Sequence, residues 1–242
     1  MKKGIYILPS SLTLCGMFAG FYSMVAVLGG HYVHASWAII IAGIFDGIDG
    51  WVARLTGTTT KFGIELDSLS DVIAFGVAPS VLLYKWTLSS FGRVGAAAAF
   101  LFVACGALRL ARYNVQMGSE EKKHFTGMPI PAAALIAAST VLFYTEMDIG
   151  HTRSFYGLFI ALICSGLMVS TMKFHSQKEL NLSRRKPFWI LVAVVLFLAV
   201  FIMHPEVTLF LIGVIYLLSG PAEVLYNVSL KEKLAPPGPP GS

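Results

Sequence analysis

Charge is what this chain has least of: 13% of its 242 residues are Asp, Glu, Lys or Arg, while 56% are hydrophobic. A soluble domain carries about a quarter charged residues, so the deficit argues against a globular domain in water and for an integral membrane protein. Cysteine is scarcer still. Cys15, Cys105 and Cys164 are scattered through apolar runs, with no CxxC and no Cys/His cluster, which speaks against both a disulfide framework and a zinc site. A cleavable signal peptide is not expected, because the first apolar stretch outruns signal length without an A-x-A-like site. The +5 net charge does not make nucleic acid a partner. The basic residues sit at the ends of apolar segments, where they read as topology signals.

Apolar length is what the chain does have. Eight segments, 6–28, 35–55, 64–84, 94–113, 128–147, 154–172, 187–203 and 206–227, each approach the length at which a helix spans a bilayer. His204-Pro205-Glu206 divides the last two, since the joined tract exceeds a bilayer and contains a proline. With the N-terminus in the cytoplasm, that side collects all 18 Lys and Arg residues except Lys85, Arg93 and Arg153. The bias predicts both termini in the cytoplasm. The expected fold is an all-α integral membrane protein, a polytopic bundle of about eight transmembrane helices in the cytoplasmic membrane. Residues 1–230 would form one membrane domain, and 231–242, ending in PPGPPGS, a disordered tail.

Residues 46–71 carry the chemistry. They read DGIDGWVARLTGTTTKFGIELDSLSD, or D-x2-D-G-x2-A-R-x8-G-x3-D-x3-D. On a helix Asp46 and Asp49 project about 60° apart, and Asp67 and Asp71 about 40° apart. Two neighbouring helices would thus each offer a carboxylate pair near their cytoplasmic ends, with Glu65 about 200° around from Asp67 and pointing elsewhere. Clustered carboxylates are untenable in a membrane without cations. Oxygen ligands without His or Cys suit Mg²⁺, Mn²⁺ or Ca²⁺, and four negative charges balance two divalent ions. In phosphoryl chemistry such a pair, about 3.5–4 Å apart, stabilises attacking and leaving oxygens.

Gly50 removes a side chain where a ligand approaches the helix, whereas Gly43 suits close helix packing. Arg54, one turn beyond Gly50, offers a fork of donors to a diphosphate. Thr58, Thr59, Thr60 and Lys61 make a short polar loop, and Gly63 opens the next helix. Farther on, Arg109 and Arg112 are i,i+3 at a helix end and expected to share a face. They read either as interfacial topology signals or as a grip for a ligand carboxylate, with Asn114 or a backbone carbonyl for an ammonium. Lys122, Lys123 and His124 read as a solvated or headgroup-facing loop.

The 46–71 stretch resembles the signature of the CDP-alcohol phosphatidyltransferase family, with every fixed letter present. The resemblance implies a membrane enzyme that displaces CMP from a CDP-linked lipid with an alcohol, on a core of six helices to which this chain would add a C-terminal pair. It implies that Asp46, Asp49 and Asp67 are metal ligands and that Asp71 is metal ligand and general base. Gly50, Arg54 and Thr60 would contact the CDP moiety, with Gly63 beside them. Pro9-Ser10-Ser11-Leu12-Thr13 is similar to the family's Pro-Asn-x-x-Thr stretch, with Ser10 where Asn is common.

The stretches GALRLARYNV (106–115) and FTGMPIPAA (125–133) are similar to the serine-using branch of the family. That likeness implies CDP-diacylglycerol and L-serine as substrates, Mg²⁺ or Mn²⁺ as cofactor, membrane lipids as surroundings and a possible homodimer. The expected reaction is in-line displacement, with no Cys or His placed for a covalent intermediate. The rivals are the same transfer to glycerol 3-phosphate or an inositol phosphate, and, more remotely, a cation transporter. A transporter would want its acidic residues near mid-membrane and its helices broken.

Overall fold

The computed structural model describes residues 7–57, 60–117, 127–147, 155–170, 172, 195 and 198–234, with side chains to Ala222. Among the described residues there is no strand. Helix α1 (Ile7–Leu28) and α2 (Tyr32–Thr56) form a hairpin about Gly29-Gly30. Gly57, at φ +61°, closes α2 in the left-handed conformation and donates to the Ala53 and Arg54 carbonyls. This is the cap that glycine favours. Thr60 then starts α3 (Lys61–Asp71), its hydroxyl accepting from Gly63 N–H at 3.0 Å. This N-cap sets the helix start three residues earlier than the apolar pattern alone.

A π-helical stretch (Val72–Val77) follows Asp71 directly and leads into α4 (Ala78–Trp86). The Ala78 N–H reaches the Ile73 carbonyl five residues back, and Pro79, next in line, has no N–H to give. Helix α1 crosses this wide turn closely. A Cβ on Gly20 would lie 2.6 Å from Ala74 Cα and 2.8 Å from its Cβ, so only glycine permits the approach. Helices α5 (Arg93–Met117), α6 (Ile130–Glu146), α7 (Phe155–Val169) and α8 (Pro205–Leu234) complete the described bundle.

Helix α6 lies at its centre, with Ala133, Ala134, Ala137, Ala138 and Thr140 fully buried. Such small side chains let neighbouring backbones close in. The outward faces are as apolar as the interior: Phe18, Phe100, Phe155 and Phe159 are each more than 60% exposed, which suits a hydrocarbon solvent and not water.

The all-helical expectation holds. Leu8–Leu28, Lys61–Trp86, Arg93–Gln116 and Pro205–Ala222 are long and apolar enough to cross a membrane, while Ile130–Glu146 and Phe155–Val169 are apolar but shorter. Segment 187–203 lies outside the described residues, apart from 195 and 198–203, which are helical. Helix α8 runs to Leu234, a stretch in which Leu, Lys and Glu favour helix. Residues 235–242 lie outside the described residues.

Candidate active site

The aspartates of the signature converge. Ligand oxygens of Asp46, Asp49 and Asp67 lie within 4.8 Å of one another, contributed by α2 and α3. Asp71, a turn beyond Asp67, comes within hydrogen-bonding reach of Asp46, with Asp67 and Asp49 also in electrostatic range. Asp49 is only 5% exposed, and its Oδ2 has no hydrogen-bond partner. A buried acceptor left unsatisfied costs about 1–3 kcal/mol, and carboxylates this close repel unless a cation or proton lies between them. Oxygen donors so arranged fit divalent cations of the Mg²⁺ and Mn²⁺ class.

Beside Asp49 and Asp67 opens a cleft of about 150 Å³, lined also by Ser10, Thr13, Gly50, Arg54, Thr60 and Gly63. The Arg54 guanidinium folds over Gly50: a Cβ there would stand 3.5 Å from its Nη1. A methyl there would be in ordinary contact, and a longer side chain would crowd the arginine. Gly63 is held more tightly, since a Cβ would meet Thr60 Oγ1 at 3.2 Å. Gly43, by contrast, meets Leu135 and Phe75 at ordinary packing distance, and Glu65 and Lys61 are exposed and do not line the cleft. Thr58 and Thr59 lie outside the described residues.

Helix α1 supplies a wall that the aspartate pattern does not announce. Thr13 is buried. Its hydroxyl donates to the Pro9 carbonyl (3.1 Å) and lies within reach of Asp49, while its own carbonyl accepts from Ser70 Oγ (3.1 Å). The Pro9–Thr13 stretch carried the only sequence signal for this wall. Ser68, between the two α3 aspartates, accepts from Asn114 Nδ2 at 2.9 Å, which ties α5 to the site.

The two arginines of α5 take different partners. Arg109 is half-buried, in electrostatic contact with Asp71, Tyr216 and Tyr113, and its Nε is buried without a hydrogen-bond partner. Arg112 is exposed and donates to the Val169 carbonyl at 3.4 Å, bracing the end of α7. The 125–133 stretch is partly structural as well: Gly127 (φ +86°) donates to the Met172 carbonyl at 2.8 Å and Met128 to that of Leu167 at 3.0 Å, fixing the start of α6 against the end of α7. Lys122, Lys123 and His124 lie outside the described residues.

Residues 6–168 match the family model described as CDP-alcohol phosphatidyltransferase. The chain belongs to that family. It is an enzyme of the phospholipid-synthesising transferases, and the matched stretch ends within α7, leaving α8 outside. It is similar to a CDP-diacylglycerol–serine O-phosphatidyltransferase of Helicobacter pylori, 38% identical over 89% of this chain and 90% of the relative. It is similar also to the archaetidylserine synthase of Methanothermobacter thermautotrophicus, 39% identical over 69% of each chain. A CDP-diacylglycerol–serine O-phosphatidyltransferase of Mycobacterium leprae is 33% identical over 88% of this chain and 73% of its own.

Proposed function

We propose that the chain transfers a phosphatidyl group from CDP-diacylglycerol to the hydroxyl of L-serine, giving phosphatidylserine and CMP. The observation that carries this is the meeting of Asp46, Asp49 and Asp67 within 4.8 Å beside the Arg54 cleft. The acceptor is supported by the relatives, which share serine in their names while the lipid differs between bacterial and archaeal ones.

In this reading Asp46, Asp49, Asp67 and Asp71 hold two divalent cations of the Mg²⁺ or Mn²⁺ class. Such ions, when bound, supply positive charge against the diphosphate and the departing CMP oxygen. Arg54, Gly50, Thr60 and Gly63 receive the CDP moiety: the guanidinium offers paired donors to phosphate, the glycine leaves room for it, and the Thr60 hydroxyl keeps a proton to donate. Arg109 grips the serine carboxylate, for which its buried, unpartnered Nε–H is suited, and Asn114, braced on Ser68, faces the ammonium. Asp71 takes the proton of the serine hydroxyl as its oxygen bonds to the lipid-side phosphorus. The bond from that phosphorus to the bridging oxygen breaks, and CMP departs with the electron pair. Arg112 serves the end of α7 and not the substrate.

The same reading sets the enzyme in a cytoplasmic membrane as a bundle of about eight spans, both termini and the active site on the cytoplasmic side, with residues 1–230 as the membrane domain. Charge asymmetry supports that orientation. The test is CMP release by purified protein given CDP-diacylglycerol, Mg²⁺ or Mn²⁺, and in separate reactions L-serine, glycerol 3-phosphate or inositol phosphate. Release with serine alone is expected. Release only with a phosphorylated acceptor would overturn the choice of alcohol, and none with any acceptor the transfer itself.

A further inference from the structure

Helix α3 carries a serine on each flank of its aspartates. Ser70 lies about 60° to one side of Asp67, and Ser68 about 60° beyond Asp71 on the other. They serve different neighbours. Ser70 is buried and donates to the Thr13 carbonyl at 3.1 Å, tying α3 to α1. Ser68 is half-buried and meets α5 instead. Its hydroxyl donates to the Ile64 carbonyl one turn back at 3.0 Å and accepts from Asn114 Nδ2 at 2.9 Å. A serine hydroxyl has one proton to give. With that proton directed to Ile64, Ser68 can receive only a donor, so the Asn114 amide turns its NH2 toward α3. The amide oxygen then faces away from Ser68, as an acceptor. Ser68 and Asp71 are i,i+3 neighbours on the helix surface, so the oriented amide stands within a turn of the proposed general base.

We propose that Ser68 is a positioning residue that fixes which end of the Asn114 amide meets the acceptor, and so makes the site select an ammonium. On serine the ammonium and the attacking hydroxyl sit on neighbouring carbons. A receptor for the ammonium must therefore lie close to the group that takes the hydroxyl proton. An amide free to turn over offers an acceptor to an ammonium or an N–H pair to an anion. Held by Ser68, it offers the acceptor alone: an ammonium gains a charge-assisted hydrogen bond, whereas an anion meets a lone pair. The selecting hydroxyl touches no substrate itself. The proposal rests on the reading of Asn114 as the ammonium contact and adds the residue that sets its choice.

The test compares the full-length protein with Ser68→Ala, which leaves the amide free to turn, and with Ser68→Thr, which keeps the hydroxyl. CMP release is followed with L-serine varied at saturating CDP-diacylglycerol, then with the lipid or the metal varied at saturating serine. In Ser68→Ala the serine KM should rise about fivefold, the cost of ordering one side chain only on binding. The lipid KM and the metal concentration for half-maximal release should stay within twofold, as should every value for Ser68→Thr. Thermal protection of the CDP-bound protein gives a readout that needs no turnover. Its half-maximal ligand concentration should rise in parallel for serine and stay within twofold for 3-hydroxypropionate, which is serine without its amino group. A serine KM that moves less than twofold in Ser68→Ala overturns the proposal. So does an equal loss for both ligands, a loss that Ser68→Thr shares, or an altered metal requirement, each of which marks Ser68 as packing for α3. If the wild type releases no CMP with serine, the functional reading fails and takes this proposal with it. A serine-active wild type with an indifferent Ser68→Ala sinks this proposal alone.

Discussion

Gly20→Ala tests whether the α1 crossing sets the geometry of the site. In a helix interior the exchange normally gains about 1 kcal/mol, because alanine has the higher propensity. Here the new methyl would stand 2.6 Å from Ala74 Cα and 2.8 Å from its Cβ, whereas carbons in contact sit about 3.5–4.0 Å apart. Helix α1 must then withdraw from the π-helical turn by about 1 Å, and overpacking of this kind costs about 1–3 kcal/mol. Crowding thus equals or outweighs propensity. The shift matters for chemistry because Thr13, two turns earlier on α1, borders Asp49 and accepts from Ser70, next to Asp71. Misplacement by about 1 Å can lower turnover on the order of 100-fold.

The assay is CMP release alongside thermal unfolding in detergent, with Gly47→Ala as reference, since a Cβ there meets nothing within 4 Å. We expect Gly47→Ala to match or exceed the wild type in Tm, and Gly20→Ala to fall below it and lose at least tenfold in kcat. Adding Ala74→Gly should restore little, because the 2.6 Å approach to Cα remains. A Gly20→Ala protein with wild-type turnover and Tm would refute the claim that this contact positions the site.

Three further outcomes follow from the same geometry. Asp71→Asn should lower transfer at least 10²–10⁴-fold, the range of general-base contributions, while CDP-lipid binding by calorimetry is largely retained; appreciable residual transfer would remove Asp71 from that role. Asp49→Asn should raise the Mg²⁺ or Mn²⁺ concentration needed for half-maximal CMP release by tenfold or more, and chelation should abolish wild-type release. An unaltered metal titration would exclude Asp49 as a ligand. Arg112→Ala should leave the serine KM within twofold and cost at most about 1 kcal/mol of stability, the worth of one exposed hydrogen bond, as read from Tm. A large rise in the serine KM would return Arg112 to the acceptor site.

The aspartate cluster was readable from the sequence because its members are local: Asp46 and Asp49 share one turn of α2, Asp67 and Asp71 share one face of α3, and only a short stretch of sequence separates the two helices. Periodicity fixes such faces without knowledge of the fold. The division of labour between Arg109 and Arg112 was not readable, because i,i+3 spacing puts both on one side but says nothing of α7, whose Val169 carbonyl claims Arg112. Tyr216 lies more than a hundred residues from Arg109, and a tyrosine in an apolar helix carries no local mark of what it touches. The Thr60 cap was legible in kind, since Thr ahead of a helix accepts from the third N–H. The aspartate motif nonetheless drew attention to it as a ligand contact. Apolar runs gave the helices but not the π-helical turn, which has no periodic signature in the sequence and lies just ahead of Pro79.

That turn explains how one span serves both a polar site and a dry core. In an unbroken α-helix Leu82, eleven residues after Asp71, would fall about 20° from it. A fully buried leucine would then share the face of the carboxylates. Six residues at π pitch turn the chain about 100° less than six at α pitch, so everything after Val77 is swung away from the aspartate face. Leu82 and Leu83 enter the core while Asp67 and Asp71 look toward α2 and Arg109. The wide turn sits directly after Asp71, and α1 reads it through Gly20 against Ala74. The position of the α1 wall, the facing of the two α3 aspartates and the burial of α4 are therefore one constraint. A substitution that restores α pitch anywhere in 72–77 would trade the site against the core, since neither face could be satisfied without the other.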